Sequence, residues 1–197
     1  MPPLGRPRAF DLDEALDQAL AVFWRHGYEG ASLTDLTAAM GIARPSLYGA
    51  FGDKEALFRR ALDRYSQGPA AFVGEALAMP TAREVVEQLL LRGAEALTDP
   101  RWPSGCLAVQ GALACGQGAD AIKRELAARR SAMEAALRGR LESAALEGDL
   151  PVGADPADLA RYVSAVFQGM AVQAAGGTTR EELRRVAMTA LRAWPGA

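Results

Sequence analysis

Histidine is almost missing from this chain of 197 residues: there is one, His26, and cysteine occurs only at Cys106 and Cys115. With so few nitrogen and sulfur donors there is no metal-ligand spacing and no disulfide scaffold, which fits a reducing cytoplasm. A surplus of either charge is also lacking. The 22 Lys and Arg stand against 24 Asp and Glu, so no global basic field announces a polyanionic partner. Alternating strand patterns and solenoid-length repeats are absent. The opening residues, MPPLGRPRAF, carry no apolar leader segment, and export is not expected. Two windows run without a charge, Trp102 to Ala119 and Tyr162 to Thr179. Their Gly, Gln and Ser or Thr mark them as buried protein surface, not membrane spans.

What is present is helical spacing from end to end, with half of the residues hydrophobic. An all-α chain of about nine helices is expected. Asp11 or Asp13 opens a first helix with Ala15, Leu16, Ala19, Leu20, Val22 and Phe23 on its apolar face, closing at Gly27. Ser32 and Asp35 form a capping-box variant for a short helix that Gly41 ends. A third begins near Ala43 and tolerates Pro45 in its first turn. Gly52 closes it, and Asp53 caps the fourth. Gly68-Pro69 must break or kink that helix, and Pro80-Thr81 and residues 99–105 separate further segments. Residues 119–147 make the most charged helix. Asp155-Pro156 opens another, and Thr178-Thr179 with Glu181 and Glu182 opens the last, which ends before Pro195. Three units follow: a flexible arm (1–9), a head (10–65) and a larger C-terminal unit (66–197).

Within residues 33–51, Leu33, Leu36, Ala39 or Met40, Ile42, Leu47 and Phe51 can face inward on two short helices joined at Gly41. This is a helix-turn-helix pattern. Arg44, Pro45, Ser46, Tyr48 and Gly49 are left outward. A helix that enters the major groove must be short and lined with small groups beside a few donors. Spacing alone is equally compatible with a plain connector.

The motifs Gly27-Tyr28, Ser32, Gly41, Leu47-Tyr48-Gly49-Ala50-Phe51 and Lys54-Glu55-Ala56-Leu57 lift that balance. Together they make the run from Phe10 to Leu57 closely resemble the DNA-binding domain of TetR-family transcriptional repressors. The resemblance implies a homodimer on a palindromic double-stranded operator, released by a small-molecule effector, with no cofactor and no enzymatic activity. It makes Tyr48 and Lys54 phosphate contacts, with Ser32 or Thr34 serving a phosphate at a helix N-terminus. Arg44 leads for base reading, because a guanidinium matches the acceptors of guanine. Gly49 departs from the family, which often has a large polar or aromatic residue there. Arg6 and Arg8 could form a minor-groove arm or a solvated tail. Residues 1–65 hold eight Lys or Arg and nine Asp or Glu, so local placement must supply the attraction to DNA.

The last two helices offer Tyr162, Val166, Phe167, Met170, Val186 and Leu191 for a four-helix dimer interface, with intramolecular core as the alternative. In WPSGCLAVQGALACG, from Trp102, small residues alternate with larger apolar ones, so a helix there can line a cavity without filling it. Gly-Cys-Leu resembles a family subset that senses electrophiles or oxidants. On that analogy Cys106 is a reactive thiolate, faster than a free thiol and ahead of Cys115. A small buried hydrophobe is the competing reading. Trp102, Gln110, Tyr162, Phe167 and Gln173 are further effector-pocket candidates. A cysteine-dependent enzyme lacks a base, since His26 belongs to the His-Gly-Tyr turn. A helical ligand-binding dimer without DNA binding is the remaining alternative.

Overall fold

The computed structural model describes residues 10–113 and 119–195. Arg6, Arg8 and Cys115 therefore lie outside the described residues. Among these residues there are ten α-helices and no strand. They are α1 (Leu12–Gly30), α2 (Leu33–Met40), α3 (Arg44–Phe51), α4 (Lys54–Gln67), α5 (Phe72–Leu77), α6 (Ala82–Ala96), α7 (Leu107–Leu113), α8 (Asp120–Leu146), α9 (Pro156–Ala175) and α10 (Arg180–Arg192).

Local chemistry sets most of these limits. The Asp11 carboxylate accepts from the Asp13 and Glu14 amides and starts α1. Gly27, at φ 69°, interrupts that helix where closure was expected, and one further turn carries it to Gly30. Ser32 and Asp35 cap each other reciprocally at the start of α2, and Thr81 with Glu84 and Thr179 with Glu182 repeat the device on α6 and α10. Gly41 leaves α2 in the left-handed conformation at φ 64°, which redirects the chain into α3. At Gly68-Pro69 the fourth helix breaks instead of kinking. Residues 72–77 then form a short helix of their own, so the count is ten and not nine.

Helices α1 to α4 build a head around Leu20, Phe23, Leu36, Leu47, Leu57 and Phe58, all fully buried. Phe58 meets Phe23 edge-on at 4.9 Å and Tyr28 at 5.2 Å. Arg64 donates twice to Asp17, both at 2.8 Å, tying α4 to α1. The larger unit pairs α8 with α9 and packs α10 on α6 and α9. Short α7 touches α1 and α4 on one side and α8 and α9 on the other. It thereby joins the two units through one continuous core.

A β-carbon added to Gly41 would meet no heavy atom within 4 Å, so a side chain there brings backbone strain and not a clash. Gly41→Ala should cost about 1–2 kcal/mol in urea unfolding, and Gly41→Asn less, because Asn tolerates this conformation better.

Candidate nucleic-acid interface and effector cavity

With Leu36, Met40, Leu47 and Phe51 buried, the other side of α2 and α3 is open. Ser32, Thr34, Arg44, Pro45, Ser46, Tyr48 and Gly49 are all exposed on it. Arg44 donates from Nη2 to Thr34 Oγ1 at 3.1 Å, so the starts of α2 and α3 lie side by side. The Ser32 hydroxyl is committed to its cap: it donates to Asp35 at 2.6 Å and accepts the Asp35 amide at 3.1 Å. The Ser32 hydroxyl, with the Ser32 amide that donates to the same carboxylate at 3.2 Å, holds the Asp35 carboxyl below its ordinary pKa. Thr34 accepts from Arg44 and keeps its own proton, which makes it the better hydroxyl donor of the two. A β-carbon on Gly49 would meet nothing within 4 Å, so the absent side chain leaves bare backbone on this face.

Lys54 is half-buried. Its Nζ lies 4.7 Å from the Tyr28 ring centroid and 3.5 Å from the Glu29 carbonyl oxygen. Burial lowers its pKa, and the Glu29 charge opposes that shift. The cation is thus positioned at the junction of α1 and α4 before any ligand arrives.

Behind the head lies a cavity of about 490 Å³, within the range of small-molecule sites. Trp24 of α1 and Leu62, Tyr65 and Ser66 of α4 form its head side. Phe72, Val73, Met133, Phe167 and Gln168 contribute from the larger unit. Cys106, at the entrance to α7, also lines it and is 5% exposed. Tyr65 donates its hydroxyl to Cys106 Sγ at 3.2 Å. Burial, reinforced by Cys106, pushes the Tyr65 phenol well above its ordinary pKa, so it stays a neutral donor. Trp24 packs edge-on to Tyr65 at 4.8 Å and stacks on Trp102 at 6.0 Å.

Beside the cavity, Arg129 of α8 donates to Asp63 of α4 at 2.7 Å and to Glu125 at 3.0 Å. Glu125 accepts from Arg59 at 2.8 Å, and Arg59 also pairs with Glu55. The ladder fastens the head's last helix to α8.

The candidates from the C-terminal sequence separate. Cys106 and Phe167 reach the cavity. Trp102 is half-buried, stacks on Trp24 and lines a neighbouring polar groove with Arg92, Asp99, Arg101 and Arg180. Gln110 donates to the Ser104 carbonyl and is not part of the cavity wall. Tyr162 and Gln173 are exposed on α9 and face away from it. Phe167, Met170 and Leu191 are buried in the protomer's own core, at 4%, 1% and 4% exposure, and so cannot form an outer interface. Val166 and Val186 are half-buried, while Tyr162, Val172 and Met188 are exposed apolar groups on α9 and α10. Sequence reading missed Trp24, Tyr65, Arg129 and Arg130, which reach the cavity from three separate helices, α1, α4 and α8.

Among the described residues, no three His, Cys, Asp or Glu side chains gather into a metal-binding set. No described helix is long and apolar enough to cross a membrane. Asp63→Ala, Arg129→Ala and the double variant, compared by urea unfolding, should give a coupling of about 0.2–1 kcal/mol, because the pair is partly exposed. That coupling should shrink in high salt.

Comparison with known proteins agrees with this geometry at both ends. The family described as bacterial regulatory proteins, tetR family, matches residues 15–61, and the tetracyclin repressor-like C-terminal domain matches residues 82–193. The HTH-type transcriptional repressor ComR of Escherichia coli is 36% identical over 194 residues, covering 97% of this chain and 92% of that protein. A cysteine-substituted variant of the regulator CifR, solved with 26-bp double-strand operator DNA, is 43% identical with a TM-score of 0.92, covering 96% of this chain and 100% of that one. A TetR regulator structure from Rhodococcus sp. RHA1 is 44% identical with a TM-score of 0.64, over 94% of this chain and 100% of that one. With an exposed two-helix face in front of a cavity of about 490 Å³, and with both regions matched, this chain belongs to the TetR family of DNA-binding transcriptional regulators.

Proposed function

We propose that the chain represses transcription from a palindromic operator as a homodimer in the cytoplasm, and that occupancy of the 490 Å³ cavity releases it. Residues 10–65 act as the reading head and 66–197 as the effector and dimerisation unit. The observation that carries this reading is that Trp24, Leu62 and Tyr65, all in the head, form part of the cavity wall. An occupant therefore touches α1 and α4 directly. It shifts the balance between head positions by whatever it gains in one over the other. Two α3 helices must stand about 34 Å apart to enter successive major grooves, so a small rotation of each head suffices to lose one half-site.

On the head, Arg44, Pro45, Ser46 and Gly49 face the bases, while Tyr48, Lys54 and Thr34 serve phosphates. Tyr48, 49% exposed, has its hydroxyl available for that role. Arg44→Ala should relax preference at one base pair per half-site and cost about 1–3 kcal/mol, read by selection from a random duplex library. Tyr48→Phe and Lys54→Ala should instead weaken specific and random DNA alike. The absence of any enriched palindrome at low salt would favour a ligand-binding dimer without DNA binding.

For the dimer, Tyr162, Val166, Gly169 and Val172 on α9 with Val186 and Met188 on α10 supply the outward apolar surface. Nothing lies within 4 Å of a β-carbon placed on Gly169, so a partner helix can approach closely. Val172→Glu combined with Met188→Glu should give folded monomers in light scattering that no longer hold a palindrome. Phe167→Asp should unfold the protein, since that ring is core.

A second reading keeps Cys106 as the sensor, favoured by its place on the cavity wall and by the Tyr65 hydroxyl donated to its sulfur. Burial makes entry to the cavity the slow step, so alkylation by iodoacetamide should lag that of a small free thiol, the reverse of what sequence suggested. Modification should still release operator DNA, and Cys106→Ser should abolish that release while keeping DNA affinity. Release that survives the substitution leaves reversible occupancy as the operative route.

A further inference from the structure

Among the described residues, the charged groups of the cavity wall are two guanidiniums, Arg129 and Arg130, with no carboxylate. Arg129 is neutralised by Asp63 and Glu125. Arg130 is half-buried and, among the described residues, donates only to the Ala108 carbonyl, at 2.7 Å, with no acidic partner. Ala108 lies two residues beyond Cys106, which receives the Tyr65 hydroxyl, and the Tyr65 ring meets Trp24. Arg130, Cys106, Tyr65 and Trp24 therefore gather around the first turn of α7.

Trp24 is 4% exposed, and its indole Nε1, unpartnered among the described residues, is itself closed off from the open space, so the ring and not the N–H borders the cavity. The remaining wall, including Leu62, Phe72, Val73, Leu77, Met133 and Phe167, is largely apolar.

Resting on the reading of this cavity as the effector site, we propose that its occupant is an apolar monocarboxylic acid. The carboxylate sits at Arg130, and the hydrocarbon or aromatic body fills the space against Phe72, Met133 and Phe167. A neutral molecule would leave the Arg130 charge without a counter-charge. An amine would face two guanidiniums. A phosphate ester would bring more charge and more acceptors than one arginine without an acidic partner can serve.

The full-length protein is titrated by calorimetry with octanoate, octan-1-ol and octylamine, which share one hydrocarbon body. Octanoate should bind about tenfold tighter than octan-1-ol, the worth of a charge-assisted hydrogen bond, and octylamine should bind weakest. Arg130→Met should bring octanoate down to the affinity of octan-1-ol while leaving octan-1-ol within about twofold, because only the anion's partner is removed. Arg130→Lys should restore part of the preference, and Arg130→Gln serves if the Met variant does not fold.

Equal or tighter binding of octan-1-ol, or an octanoate preference that survives in Arg130→Met and Arg130→Gln, would overturn the acid class while leaving the cavity as an effector site. Loss of octanoate and octan-1-ol together in the folded Arg130 variants would make the residue structural and overturn the proposal. Failure of all three probes to bind would also overturn the class. Val73→Trp, which enlarges a side chain on the cavity wall, should block whichever probe binds. Binding that persists in that variant would place the site elsewhere and sink the effector reading itself.

Discussion

The contact on which the rest depends is the meeting of Trp24, Tyr65 and Cys106, where the first turn of α7 wedges between α1 and α4. Two aromatic rings and a thiol, each buried, fill the joint between the reading head and the larger unit. A close-packed joint transmits displacement because its side chains cannot compress. The cavity adjoins that joint, so under the proposed mechanism an occupant would not signal across a distance but change the packing of the joint itself. The Glu55–Arg59–Glu125–Arg129–Asp63 ladder works differently. It is partly exposed and salt-screened, and it sets how far α4 can move from α8 without deciding when it moves.

The head was legible in the sequence because its signals are local. Ser32 with Asp35, Gly41, Pro45, Gly52 and Asp53 each fix a helix limit within a few residues of themselves, and the structure uses each in that role. The reading surface follows, since two short helices with Leu36, Leu47 and Phe51 inside have only one other side to offer. The break at Gly68-Pro69 was visible, but the fate of the following residues was not. A six-residue helix such as α5 has too few turns to declare itself and exists because Phe72 and Ala76 are buried against the larger unit.

The cavity was not legible, and the reason is geometric. Trp24, Tyr65, Cys106 and Arg130 come from four separated segments, and nothing in helical spacing announces that they meet. Arg130 reads in isolation as one more charge on the most charged helix. The dimer face failed in a related way. Helical periodicity marks Phe167, Met170, Leu191, Val172 and Met188 all as apolar positions, but a protomer's own core and a partner's surface carry the same signal. Only the packing of α9 on α6, α8 and α10 shows that the first three are already occupied.

The stacked pair Trp24 and Trp102 carries an optical consequence. The chain has three tryptophans, and two of them lie in contact at the joint, with Trp24 on the wall of the cavity. The third, Trp194, is buried beyond the end of α10 and lines neither the cavity nor the joint. Indole emission depends on local polarity and on nearby quenchers such as a thiol. The protein thus has a built-in gauge at the joint and a reference elsewhere, and under the proposed release its intrinsic fluorescence would time the motion of the head without any attached dye.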